Sequence, residues 1–428
     1  MTCEVAVMNR SAVVIAADSA VTTTNSNGEK RYSKGANKIF QLSNVEPVGV
    51  MIYGSASISA MPWEVVAKAF RDEKLGSTRF DTVGEYATAF LDYIAAEGNP
   101  ISQEFRDACY VAFVQQSWLR VFEHTKQTAA LIHDQAATVP DRANAWRDYF
   151  DRRAAQLAAQ PLDPRITAEQ LEAAVAGIPP GLIQDGENAL RSLGLAEIIV
   201  PQQIGELAVR YFYHSFTAFL GSTGVVIAGY GKAEYLPTVV EIDVFGFVGT
   251  QLVFEETKRT QISFSEPSAI LQFAMSNQVD AFTSGVGLDA YSQVREAYEQ
   301  HAKTLAAETL AASGAAAPAD MDDRLKVSRD EFMRDWYHKV LAQHWHPMRN
   351  VVASLSVEEM AEFAETLVVL ESLKERVTST RQSVGGPIDV AVITKAEGLV
   401  WIKRKHFFSP ELNSRFGVRQ KLMLGGAI

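Results

Sequence analysis

Apolar residues run in short strand-like stretches near both ends of the chain and at helical spacing between them. Residues 3–8 (Cys-Glu-Val-Ala-Val-Met) and 11–17 (Ser-Ala-Val-Val-Ile-Ala-Ala) predict two strands joined by a tight hairpin at Asn9-Arg10. Residues 21–36 are rich in Gly, Asn, Ser and Thr and predict a loop. A second strand pair is expected at 39–42 and 48–53, around Glu46-Pro47, followed by a helix over 58–71.

From about 80 to 220 the spacing is helical, with Ala-rich segments such as 143–160 carrying mixed charges on a polar face. Thr167-Ala168-Glu169-Gln170 is a capping-box pattern that opens a helix through Val175, and Pro179-Pro180-Gly181 breaks it. Strands are expected at 224–228, 238–244, 251–254 and 261–264, then a further helical stretch. The Ala/Ser/Gly/Pro run at 311–318 reads as a flexible linker. Ser356-Val357-Glu358-Glu359 is a second capping box, starting a helix to about Ser379, and strands at 388–394 and 399–404 hinge at Ala396-Glu397-Gly398. There is no internal repeat. Strands at both ends with helices between them predict a layered α+β protein whose terminal strands pair.

Composition narrows the class. With 428 residues, 47% hydrophobic and 21% charged, the chain is long enough to bury a large core without staples. Its net charge of −11 does not favour nucleic acid or an anionic membrane surface as partner. Cys3 and Cys109 are the only cysteines, which reads as a reduced, cytoplasmic protein and is too few for a metal cluster. The N-terminus lacks a basic region ahead of its short apolar run, so no signal peptide is expected. No window reaches 18 uninterrupted apolar residues, so no membrane span is expected either.

Candidate chemistry starts at Thr2. A threonine exposed by loss of Met1 carries its own base, because its α-amine has an ordinary pKa of ~7.7–8 and is partly unprotonated near neutrality. Four stretches follow in order: Thr2 heading the first strand, Ala16-Ala17-Asp18-Ser19 ending the second, Asn37 through Leu42 starting the third, and Tyr53-Gly54-Ser55 ending the fourth. Late in the chain stands Gly385-Gly386-Pro387-Ile388-Asp389-Val390-Ala391-Val392-Ile393-Thr394. This ordered set resembles the proteasome β-subunit and its bacterial relative HslV, threonine-type N-terminal-nucleophile hydrolases. The residues at 224–243 resemble their central hairpin, and the likeness covers roughly 2–72, 222–283 and 351–405.

The resemblance implies a four-layer αββα fold of two antiparallel sheets between helices, as one elaborated domain spanning 1–428. Segments at about 97–215 and 285–350 stand out as helical insertions, and 406–428 as a C-terminal tail. It implies a peptidase or amidase in which Thr2 attacks an amide carbonyl and an acyl-ester forms on its hydroxyl oxygen. The resemblance further implies that Lys38 sits beside the nucleophile as a cation and depresses the α-amine pKa, and that Asp18 pairs with Lys38. Lys34 is the competing lysine, but it lacks the Ile-Phe-Gln-Leu run that follows Lys38. Gly54 offers its N–H to the oxyanion, and Ser276 bonds the terminal amine. By the same resemblance, Ile52, Ala56 and Ala60 are expected to line an apolar pocket for the side chain before the scissile bond. No cofactor or metal is implied. The implied partners are a peptide or unfolded-chain substrate and copies of the same chain, with a ring as one form of assembly; whether an unfoldase joins them is left open by the sequence. Arg381, Val384 and Ala20 stand where the family carries other residues. Those departures and the insertions keep a non-catalytic scaffold open as an alternative, and acyl transfer, with an amine intercepting the acyl-enzyme, is another. His338, His344 and His346, near Trp336 and Trp345, form an HxH pattern without the accompanying ligands of a metal site.

Overall fold

The computed structural model describes residues 2–24, 30–76, 78–96, 100–274, 277–378, 385–406, 408–409 and 411–418. Strands β1 (Cys3–Asn9) and β2 (Val13–Ala17) form the expected hairpin. Asn9 closes the turn, its N–H on the Ala12 carbonyl at 3.0 Å and its Oδ1 accepting from Ser11 at 2.8 Å. The expected loop at 21–36 instead contains a two-stranded hairpin, β3 (Val21–Thr24) with β4 (Lys30–Ser33). The β-branched Val-Thr-Thr-Thr run favours extended backbone over the turn signals around it.

β5 (Ile39–Gln41) and β6 (Val48–Gly54) pair as expected. The next helix starts later than its apolar spacing suggests. β7 (Ser57–Ile58) first pairs with β8 (Met61–Pro62), and Pro62 then caps α1 (Trp63–Phe70). Proline cannot donate to a helical ladder, so it marks the start of the helix rather than its interior.

The helical middle comprises α2 (Val83–Ala95), α3 (Gln103–Thr128), α4 (Val139–Ala159), α5 (Ala168–Ala176), α6 (Pro180–Ser192) and α7 (Pro201–His214). Both bonds of the Thr167 capping box form, at 2.8 and 3.2 Å. α3 to α7 share a core of their own around Trp118, Trp146, Leu207 and Phe212, while α2 packs on the second sheet.

β9 (Thr223–Gly229), β10 (Thr238–Val248), β11 (Gln251–Gln261) and β12 (Ser268–Ala274) follow. The strand expected at 261–264 is therefore displaced. The outer half of β11 is exposed and polar, held by its pairing with β10 rather than by an apolar face of its own. Then come α8 (Asn277–Ser284), α9 (Leu288–Ser313), α10 (Met321–Gln343), α11 (Trp345–Val352) and α12 (Val357–Thr378). The first half of the run read as a linker is helix end and turn, and residues 315–318 carry no regular structure. α9 continues to Ser313, Gly314 adopts φ 66 at the cap, and α10 folds back on it with Tyr298 stacked on Phe332 at 4.5 Å. The second capping box closes as expected, with Ser356 and Glu359 exchanging bonds of 2.8 and 3.3 Å. β13 (Asp389–Thr394) and β14 (Gly398–Lys403) end the regular structure.

Two antiparallel five-stranded sheets result, in the orders β12-β1-β2-β13-β14 and β11-β10-β9-β6-β5. The chain is thus α+β, and strands from its two ends pair, β2 with β13. Side-chain alternation sorts β1 between two cores. Cys3, Val5 and Val7 pack with Met360, Ala364 and Leu367 of α12. Ala6 and Met8 pack instead with Met51 of β6 and Val226 of β9, in the space shared by the two sheets. The opposite face of the second sheet carries Val50, Ile52 and Val225 against Trp63 of α1 and Phe90 of α2.

Candidate active site

The site forms where the inter-sheet core ends at the head of β1. Thr2 and Glu4 continue the two-residue alternation of Ala6 and Met8, so they share the face that looks toward the second sheet. Glu4 lies opposite Ala17 in the β1–β2 register, and the Asp18 N–H bonds the Cys3 carbonyl at 3.2 Å, which carries Asp18 alongside. Lys38 comes from the second sheet. Its carbonyl accepts from Ile52 N–H at 2.9 Å, extending the β5–β6 ladder by one residue.

Four side chains meet there out of water. Lys38 Nζ donates to Glu4 Oε1 at 2.9 Å and also to Asp18 Oδ1. Thr2 Oγ1 donates to the other oxygen of Glu4, Oε2, at 3.1 Å. Asp18 accepts further from Gly385 N–H at 2.8 Å and from Cys3 N–H at 3.4 Å. Glu4 and Asp18 are buried, and Lys38 and Thr2 are 4% and 5% exposed. One ammonium thus serves two buried carboxylates, and without it both would be buried with no cation beside them.

Burial dominates the titration of Glu4 and pushes it up to about 7. Lys38 opposes that rise, while the Asp18 charge adds to it. Burial likewise raises the Cys3 thiol, with Glu4, Glu371 and Asp18 adding to it, so Cys3 behaves as a buried apolar residue rather than a thiolate. The raised Glu4 has a stability consequence. Between the ordinary carboxylate range and about 7, folded Glu4 holds a proton that the unfolded chain has released, so stability falls as pH rises through that window. Glu4→Gln removes the loss. In urea unfolding it is expected to be more stable than the wild type at pH 8, by on the order of 2–3 kcal/mol, with the gap closing near pH 4.

Beside this network lies a narrow cleft lined by Lys38, Ile52, Tyr53, Gly54, Ser55 and Ala56. Tyr53 forms one wall, stacked on Phe273 at 5.8 Å with its hydroxyl on Glu241 at 2.7 Å. Gly54 has φ 82, and a Cβ there would lie 2.8 Å from the Ser222 carbonyl oxygen. Gly54→Ala is therefore expected to cost about 1–3 kcal/mol in thermal or urea unfolding.

The structure brings Thr2, Asp18 and Lys38 together, and sets Gly54, Ile52 and Ala56 around the cleft that Lys38 also lines. Ala60 falls on a neighbouring cleft with Cys109 and Phe113 of α3, so it does not share a wall with Ile52. Ser276, Arg381 and Val384 lie outside the described residues. Among the described residues no three His, Cys, Asp or Glu side chains are grouped to hold a metal, and no helix is long and apolar enough to cross a membrane. Sequence reasoning passed over Glu4. Its signal was a lone carboxylate inside an apolar strand run, two residues from Thr2 and hence on the same face.

No family model and no curated protein matches this chain. Solved structures similar to it include an Anbu Gly-1 mutant from Hyphomicrobium sp. strain MC1, with 10% identity and a TM-score of 0.29 over 99% of this chain and 97% of that one. Anbu (ancestral beta-subunit) from Yersinia bercovieri is also similar, with 10% identity and a TM-score of 0.27 over the same shares of each chain. At TM-scores this low the likeness carries neither a fold nor an activity over to this chain. It does correct the resemblance drawn from the motifs, since the neighbours are Anbu proteins, a family distinct from the one named above. The motifs misled because each is a few residues at a strand end, and any protein that brings a threonine-headed strand to a lysine-headed one can carry them.

Proposed function

We propose that the chain is a threonine-type N-terminal-nucleophile hydrolase that cleaves peptide or other amide bonds. One observation carries this reading: the Thr2 hydroxyl is tied into a buried network with Glu4, Lys38 and Asp18 at the head of a strand. Once Met1 is removed, Thr2 Oγ attacks the amide carbonyl, Lys38 favours the deprotonated oxygen, and Asp18 keeps Lys38 charged and aimed. Gly54 N–H offers a donor to the carbonyl oxygen, and the apolar cleft beside it takes the preceding side chain. Water then releases the acyl group from Thr2.

The two sheets with α12 on one side and α1 and α2 on the other are read as a four-layer αββα sandwich. Within one elaborated domain, α3–α7 and α9–α10 are additions to it. Self-association is proposed for the α9–α10 arm, where α9 buries no residue and Leu305 and Val327 are exposed.

The test is covalent. A peptide vinyl sulfone with an apolar residue before the electrophile is expected to add one mass increment, located on Thr2, in protein whose sequenced N-terminus is Thr2. Complete retention of Met1 in the natural host, or labelling elsewhere, would remove the N-terminal-nucleophile reading and leave a binding or scaffold role.

A further inference from the structure

Glu4 touches the reacting atom of the proposed nucleophile, and it does so from inside the sheet. The Thr2 hydroxyl points its proton at Glu4 Oε2 at 3.1 Å, within the reach a proton transfer requires. The other oxygen of the same carboxylate is held by Lys38 at 2.9 Å, which fixes its orientation. Strand pairing on both sides, with Ala17 in β2 and Phe273 in β12, leaves the Glu4 backbone no freedom to withdraw. A buried carboxylate on an inter-sheet face is costly to keep unless it is used or paired, and an apolar residue would serve packing better there.

From this geometry we infer that Glu4 is a catalytic general base of the site, taking the proton of the Thr2 hydroxyl. The inference rests on Thr2 being the nucleophile. As Thr2 Oγ forms its bond to the amide carbonyl carbon, the hydroxyl proton passes to Glu4. When the tetrahedral intermediate collapses, that proton goes to the departing amine nitrogen as the carbon–nitrogen bond breaks. A water molecule then attacks the acyl-ester and gives a proton to Glu4, which returns it to Thr2 Oγ as the ester bond breaks. Protons balance over the cycle, and nothing is oxidised or reduced.

The charge count bears on the role of the α-amine. Lys38 alone would depress it, as the sequence suggests, but Lys38 is shared by two carboxylates, so the site carries an excess negative charge. An α-amine exposed by loss of Met1 would meet that excess as well as Lys38, so a carboxylate base spares the site from depending on a neutral amine. The ordinary division of labour within an N-terminal threonine is thereby shifted onto Glu4. Its raised titration point, about 7, is consistent with a base poised near neutrality.

The experiment follows the rate of Thr2 labelling by the peptide vinyl sulfone from pH 5.5 to 8.5 in wild type, Glu4→Gln and Glu4→Asp. The wild-type rate is expected to rise through a limb near 7. Glu4→Gln should label about 100-fold slower or worse and lose that limb, while Glu4→Asp, which keeps a carboxylate on a shorter stem, should fall between them with a limb retained. Labelling of Glu4→Gln at the wild-type rate with an unchanged limb overturns the inference and leaves Thr2 as nucleophile. No labelling of wild-type Thr2 overturns both. If Glu4→Gln does not fold, a flat wild-type profile or a limb missing from Glu4→Asp overturns it.

Discussion

Thr2→Ala is expected to abolish amide hydrolysis, by at least about 10³-fold, while leaving the protein folded. The variant removes the oxygen proposed to attack, and among the described residues Thr2 is the one hydroxyl bonded to the Glu4 carboxylate. Its structural cost is small because Glu4 keeps Lys38 as partner, so a loss of about 1 kcal/mol is expected, the worth of one hydrogen bond. Thr2→Ser, which keeps the hydroxyl, should retain measurable turnover. Hydrolysis of apolar peptide amides, read beside urea unfolding of the same preparations, tests both halves. Wild-type turnover in Thr2→Ala would place the nucleophile elsewhere.

Lys38→Ala should lose both activity and stability, and this separates it from the Thr2 variant. Removing the ammonium strands Glu4 and Asp18 as neighbouring buried carboxylates, a class of change that costs about 3–5 kcal/mol. The deficit should shrink below pH 6, because Glu4 titrates at about 7 even with Lys38 present and takes up a proton more readily without it. Lys34, exposed in the structure, provides the control: Lys34→Ala is expected within about 0.5 kcal/mol of wild type in urea unfolding and near it in turnover. If the two lysines exchange these outcomes, the assignment of Lys38 is wrong.

How much of this was legible in advance differs by element. The β1–β2 and β5–β6 pairs and both capping boxes show in the sequence because each rests on local alternation or on contacts three residues apart. β12 and the β3–β4 hairpin did not show. Ser268–Ala274 mixes polar and apolar residues and becomes a strand by pairing with β1, whose partner residues lie far away in sequence. The late start of α1 was available in principle from Pro62, but the apolar spacing before it masked the break.

The candidate site divides along the same line. Sequence alone determined that Thr2 heads a strand, that Asp18 ends the next and Lys38 leads a third, and that Thr2 and Glu4 fall on one face, since strand alternation has a fixed period of two. Only the tertiary structure decided what that face meets. Packing of the second sheet onto the first brings Lys38 across 34 residues of chain to Glu4, and out of water one ammonium between two carboxylates turns an unremarked strand glutamate into the centre of the site. Sequence spacing carries no record of that approach, because the approach is made by apolar packing between sheets and its electrostatic consequence appears only after water has been excluded.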